Sequence, residues 1–247
     1  MSIFSNIHIE GLTPLEAVTG TKPIPTLPQV IEGMTHSITP TLLNAFLYFQ
    51  GASEKWKESA EESMMNTLGK IFVSNPAMSK GVEFEDLICK ITEGKSFESL
   101  EIKHLEEFNK DTLKEIVITL GDIVAEGDWQ VAVKTPFKSK TGEIFQLSSK
   151  FDVLKPEIIY DIKYTGKKRA DKFKNSVQHR IYMYQTGISK FAYLVSDCKK
   201  WWREDYYRDS LNDGHYIDSI ICDFLAWLDS KPEAKELYRE KWKVKTQ

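Results

Sequence analysis

The sequence predicts an α/β protein in which a mixed β-sheet is covered by helices. Three observations carry this. Apolar residues recur at helical spacing from about Thr39 to about residue 110; Gly-, Pro- and Lys-punctuated β-type runs follow from about Lys114 to Thr165; and a helical segment, a short apolar strand and an aromatic-rich tail complete the chain. With 247 residues, 41% hydrophobic and 12% aromatic, one large core with appendages is expected.

Taken in order, residues 1–38 carry Pro14, Pro23, Pro25 and Pro28 and read as an extended arm, because closely spaced prolines disfavour helix and central strand. The remainder, 39–247, reads as one domain with a C-terminal helical extension. Thr39-Pro40 opens an apolar helix through Tyr48, and a charged helix follows from about Ser53 to Phe72. Ser79 is placed to cap a helix whose stripe is Phe84, Leu87, Ile88 and Ile91, and a further charged helix is expected from Ser96 to Asn109. The runs 116–118, 129–133, 143–154 and 158–165 read as successive strands of a meander. A helix over 170–186 ends at Gly187, suited to the left-handed position after a helix, and 191–195 is a short strand. One or two helices are expected from about Tyr216 onward.

Charge is unevenly spread. Residues 134–174 hold eleven Lys/Arg against five Asp/Glu, a local +6 that leaves −9 for the rest of a chain whose formal net charge is −3. Such a segment suits a phosphate-binding surface, and equally a solvated lysine-rich face. Cys89, Cys198 and Cys222 lack metal-site or disulfide-framework spacing, and the histidines His8, His36, His104, His179 and His215 show no ligand pairing. No signal-peptide pattern opens the chain, no run spans a bilayer and no nucleotide-binding fingerprint is present, so a soluble cytoplasmic protein without ATPase chemistry is expected. Trp201, Trp202, Tyr206 and Tyr207 are expected to pack a core edge rather than stack on bases.

The chemistry concentrates in one hairpin. Side-chain alternation puts Phe145, Leu147, Phe151 and Val153 on one face of their strand and Gln146, Ser148, Lys150 and Asp152 on the other. In the next strand Asp161 and Lys163 share a face, opposite Tyr160, Ile162 and Tyr164. A turn near Pro156 sets Asp152 opposite Asp161, so two carboxylates and an ammonium crowd together. Like charges so placed repel unless a cation intervenes, and a hard divalent ion, Mg²⁺ or Mn²⁺, suits oxygen ligands. Upstream, Gly81-Val82-Glu83-Phe84-Glu85 adds acidic residues on a helix rim; downstream, Gln178 and Tyr182 lie four apart on one helix face.

This ordered set resembles the RecB-like branch of the PD-(D/E)XK nuclease superfamily, which includes phage exonucleases. The pattern there is a helix with G-x-x-x-(E/H), a strand ending in Asp, a strand with (D/E)-x-K and a helix with Q-x-x-x-Y. The matching residues are Gly81 to Glu85, Asp152, Asp161-Ile162-Lys163 and Gln178 to Tyr182, within a region from about Thr39 to Ser196. Ser149 stands where many members have Gly, no Pro precedes Asp152, and Glu83 competes with Glu85 for the first carboxylate.

The resemblance implies a restriction-endonuclease-like mixed sheet flanked by helices, with extra N- and C-terminal helices. It implies Glu85, Asp152, Asp161 and the Ile162 carbonyl as ligands of Mg²⁺ or Mn²⁺, Lys163 acting on the nucleophile, and Gln178 with Tyr182 contacting DNA or supporting the site. Lys167, Lys168 and Arg169 are the expected phosphate contacts. The implied activity is phosphodiester hydrolysis by metal-activated water, in an exonuclease processing DNA ends for recombination or repair without an iron–sulfur cluster. The alternative is a non-catalytic DNA-binding or assembly subunit with the same fold. DNA is the implied partner, with a recombination or single-strand annealing protein as a candidate protein partner.

Overall fold

The computed structural model describes residues 34–166 and 173–244. Six strands form one mixed sheet: β1 (Met34–Ile38), β2 (Asp128–Lys138), β3 (Ile144–Lys155), β4 (Ile158–Tyr164), β5 (Lys190–Ser196) and β6 (Trp201–Tyr207). Seven α-helices flank it among the described residues: α1 (Pro40–Gly51), α2 (Lys57–Leu68), α3 (Pro76–Thr92), α4 (Lys110–Val124), α5 (Gln178–Thr186), α6 (Asp213–Ser230) and α7 (Pro232–Lys241). This is the α/β architecture expected. Residues 34–38, the end of the expected arm, are extended as the prolines before them suggest, yet they form β1, parallel to β3.

Helix boundaries follow capping chemistry. Thr39 Oγ1 accepts from Leu42 N at 3.2 Å, with Pro40 in the first turn of α1. Asn75, rather than Ser79, caps α3 by accepting from Met78 N at 2.9 Å. Asn109 caps α4 by accepting from Thr112 N at 2.9 Å, and removing such a cap costs about 1 kcal/mol. The run Ile116-Val117-Ile118, expected as a strand, lies inside α4. Leu113, Ile116, Val117, Leu120 and Val124 are all buried, a helical stripe long enough to outweigh the β-branched cluster within it.

Two other expectations are corrected, and one strand is added. Residues 96–109 form no long helix: one 3₁₀ turn spans Phe97–Ser99, and the loop beyond is held by Glu83, which accepts from Lys103 N at 2.6 Å and His104 N at 2.8 Å. Helix α5 starts at Gln178, where Asn44 of α1 accepts from Val177 N at 3.0 Å; of the expected start at 170, residues 170–172 lie outside the described residues. The aromatic run after Ser196, to which no element was assigned from the sequence, is strand β6, antiparallel to β5. Gly187 takes the left-handed conformation expected after α5, with φ of 76°.

Two hydrophobic layers sandwich the sheet. One joins α1, α2, α5, α6 and α7 to residues such as Phe151, Ile159, Phe191 and Tyr193; the other joins α3 and α4 to Val153, Tyr160, Ile162 and Leu194. The expected single buried face of β3 is therefore corrected: both faces are covered. Phe145, Leu147 and Phe151 pack in the first layer, whereas Val153 packs in the second. The change occurs in two strands together. Trp129 pairs with Val153 and both belong to the second layer, while Val131 pairs with Phe151 and both belong to the first. Between them lie Gln130, with φ of 54°, and Asp152. Gly127 makes room for this arrangement, because a Cβ there would lie 2.3 Å from Val153 Cγ1.

The sheet also forks. β2 pairs antiparallel with β3 along 144–154, while the opposite edge of β3 is shared: β1 takes 144–147 and β4 takes 153–155. Residues 148–152 of β3 therefore have no strand on that edge. Helix α5 fills part of the gap, with Tyr182 Oη donating to Lys150 O at 2.9 Å and Gln185 Nε2 donating to Leu147 O at 3.0 Å.

Candidate active site

The fork gathers the candidate residues. The β3–β4 ladder runs from Lys155–Ile158 to Val153–Tyr160, so the next pair in register is Asp152 and Asp161, as the hairpin reading expected. Beyond Val153 a side chain replaces the ladder: Asp152 Oδ2 accepts from Ile162 N at 2.8 Å. In a strand, the N–H and C=O of one residue point to the same side, so the Ile162 carbonyl faces this gap too.

Asp161 is fully buried. Its Oδ1 accepts from Gln178 Nε2 at 2.6 Å, and its Oδ2 meets the Lys163 ammonium in an ion pair and finds no further donor among the described residues. Gln178 Nε2 also donates to Tyr182 Oη at 2.8 Å, and Tyr182 donates onward to Lys150 O. Gln178 and Tyr182 thus tie Asp161 on β4 to the open edge of β3. Replacing Gln178 with Ala is expected to lower any metal-dependent turnover by roughly 10- to 100-fold, the usual effect of losing a group that orients a ligand. Steady-state rates at saturating metal check this, and a wild-type rate would remove Gln178 from the site.

Glu85 arrives from α3, the layer opposite α5. Its Oε1 accepts from Gln130 Nε2. Glu83 is committed to the loop amides of Lys103 and His104, which leaves Glu85 as the carboxylate of this pair in the cluster. Lys150 lies on the exposed rim, where its charge reaches Glu85 and Asp152. Gln130 and Lys150 were not among the candidate residues. Lys150 carried a signal, its place on the polar side of Asp152's strand, whereas Gln130 had none.

The electrostatics follow from burial. Desolvation first, then the neighbouring charge of Asp152, push the carboxyls of Glu85 and Asp161 up to about 7. Asp152 is raised as well, chiefly by burial, against the lowering influence of Lys163. Burial opposes the charge on Lys163, but Asp161 and Asp152 outweigh it and the ammonium is held above its ordinary value. Three carboxylates thus share the charge of the half-buried Lys163, with Lys150 acting on two of them from the rim. Among the described residues no group of three or more His, Cys, Asp or Glu forms a ready-made metal cage. The all-oxygen donor set nevertheless fits a hard divalent ion, because the cluster has more negative charge than Lys163 balances and, among the described residues, Asp161 Oδ2 has that lysine alone as its partner.

A raised acid pKa carries a definite sign for stability. Asp161 binds its proton more tightly folded than unfolded, so its contribution favours the fold below about 4 and is lost as pH rises through about 7. Metal-free wild-type protein is therefore expected to melt lower relative to Asp161→Asn as pH rises from about 5 to about 8. Thermal denaturation of both proteins in chelator checks this; a difference independent of pH would show that Asp161 titrates normally.

Other candidates are dispersed. Lys167, Lys168 and Arg169 lie outside the described residues, while Lys134, Lys138 and Lys174 of the positive segment are exposed. His179 is buried against Tyr206, with ring centroids 4.2 Å apart, and burial followed by the Arg180 charge pushes it down to about 3. It is a neutral packing residue. Trp202 and Tyr206 pack at the margin of the first layer and Trp201 at that of the second, while Tyr207 is exposed. No described helix is long and apolar enough to cross a membrane.

No family model matches the chain, and no curated protein does. Among solved structures, the crystal structure of SSO0001 is similar over 78% of this chain and 78% of its own, at 12% identity and a TM-score of 0.44. A phage related exonuclease from Haemophilus somnus 129PT is similar over 83% of this chain and 95% of its own, at 13% identity and a TM-score of 0.40.

Proposed function

We propose that this chain is a Mg²⁺- or Mn²⁺-dependent deoxyribonuclease, an exonuclease that processes DNA ends in recombination or repair. The observation that carries the reading is the convergence of Asp152, Asp161 and Lys163 at the fork between β3 and β4, with Glu85 of α3 near enough to feel the charges of Asp152 and Lys163. Those residues come from three separate elements and occupy the positions of the motif that the sequence resembles. A purely structural role is a poor alternative for them, because buried like charges cost stability unless they have a task or a counter-ion.

Glu85, Asp152, Asp161 and the Ile162 carbonyl would hold the ion, which when bound supplies Lewis acidity and charge neutralisation at the phosphodiester. The chain's own groups do the rest. Gln178 fixes one oxygen of Asp161, and the Ile162 N–H fixes one oxygen of Asp152, so both carboxylates are oriented before any ligand arrives. Lys163, 31% exposed at its side chain beside the buried Asp161, is the cation that can turn toward an entering phosphate. There it stabilises negative charge as it builds in the transition state and orients the attacking water. The exposed lysines of the segment 134–174, together with Lys167, Lys168 and Arg169, supply sequence-independent phosphate contacts.

The test is purified protein with Mg²⁺ or Mn²⁺ on end-labelled linear duplex, linear single-stranded DNA and closed circular DNA. Metal-dependent degradation of linear DNA with the closed circle spared is the expected result. Cutting of the circle would make the activity endonucleolytic, and binding without any cutting would favour a non-catalytic assembly subunit.

A further inference from the structure

Gln130 sits within β2, yet its backbone is left-handed, with φ of 54°. Three other non-glycine described residues share this sign, Lys70, Glu126 and Cys198, and each lies in a connection between elements. A left-handed glutamine inside a strand is disfavoured by its own Cβ, and Gln130 is exposed, so burial does not explain it. Two facts do point to a purpose. Gln130 stands opposite Asp152 at the point where β2 and β3 together change the layer they face, and its amide donates to Glu85 Oε1, forty-five positions away on α3.

We infer that Gln130 is a positioning residue for the metal ligand Glu85, held in an unfavourable backbone state because that state carries its amide from the sheet to α3. The inference rests on the metal-nuclease reading above. The amide occupies Oε1 of Glu85, which leaves Oε2 as the oxygen to meet a cation, and it ties the carboxylate of the second layer to the kink that orients Asp152.

Gln130→Gly separates the two roles, since glycine accepts the left-handed backbone but carries no amide. Calorimetric titration with Mn²⁺ alone is expected to show roughly 10-fold weaker binding than wild type, with a melting temperature equal or higher. Gln130→Asn, which tolerates the same backbone but is one methylene too short, is expected to show the same loss. In a Glu85→Gln background, Gln130→Gly should add nothing, because its effect passes through Glu85. Wild-type Mn²⁺ affinity in Gln130→Gly, or a full additive loss in the Glu85→Gln background, would overturn the positioning role while leaving the nuclease reading in place. Wild-type protein that takes up no Mn²⁺ would overturn the metal-nuclease reading itself, and this role with it.

Discussion

Replacing Asp161 with Asn is expected to lower metal-dependent DNA cleavage by at least about 10³-fold, equivalent to about 4 kcal/mol of transition-state stabilisation, while leaving the fold intact. The substitution keeps the shape of the side chain and the polar surroundings at Gln178. It removes the charge that burial and Asp152 already disfavour. Metal-free protein should therefore be no less stable than wild type at neutral pH, and DNA binding through the exposed lysines should persist. Activity, melting temperature and DNA affinity measured on one preparation check the set. Residual cleavage near the wild-type rate would sink the site, whereas loss of activity with loss of the fold would indicate a structural role only.

Lys163→Met separates catalysis from metal binding. The ammonium pairs with Asp161 and faces the charges of Asp152 and Glu85, so its loss leaves most of their repulsion unrelieved and metal-free protein should melt lower. Added Mn²⁺ replaces the missing positive charge, and its affinity should be unchanged or tighter, restoring much of the melting temperature. Turnover should nonetheless fall by roughly 10²- to 10³-fold, the usual result of deleting one group that stabilises developing charge. Mn²⁺ titration, melting curves and single-turnover cleavage read the three effects independently. If metal affinity and turnover fell together, Lys163 would be an organiser of the carboxylates rather than a participant in the reaction.

The two substitutions are informative together because Asp161 and Lys163 are adjacent in space but opposite in their effect on the apoprotein. One removes surplus negative charge and the other removes the cation paired with it. Opposite shifts in stability with a shared loss of activity would be difficult to obtain from a general disturbance of the β4 backbone.

What the sequence determined by itself was whatever has a short period or a short motif. Two-residue alternation placed Asp161 and Lys163 on one side of β4, the turn at Pro156 set Asp152 opposite Asp161, and the i,i+4 spacing put Gln178 beside Tyr182. Local propensity failed where a longer pattern overrode it. Ile116 to Ile118 has strand composition, but the buried stripe from Leu113 to Val124 and the Asn109 cap make it helix. The tertiary structure alone decided the rest. β1 and β4 share one edge of β3, and the resulting fork depends on pairings more than a hundred residues apart that no local period encodes. A loop whose amides occupy Glu83 sets that carboxylate apart from Glu85, and the left-handed backbone of Gln130 lies where β2 and β3 change the layer they face. A sequence pattern states which way a side chain leaves its own element. Which neighbour it meets is set by how the elements pack: Asp152 of β3 meets Ile162 N of β4, Asp161 of β4 meets Gln178 of α5, and Glu85 of α3 meets Gln130 of β2.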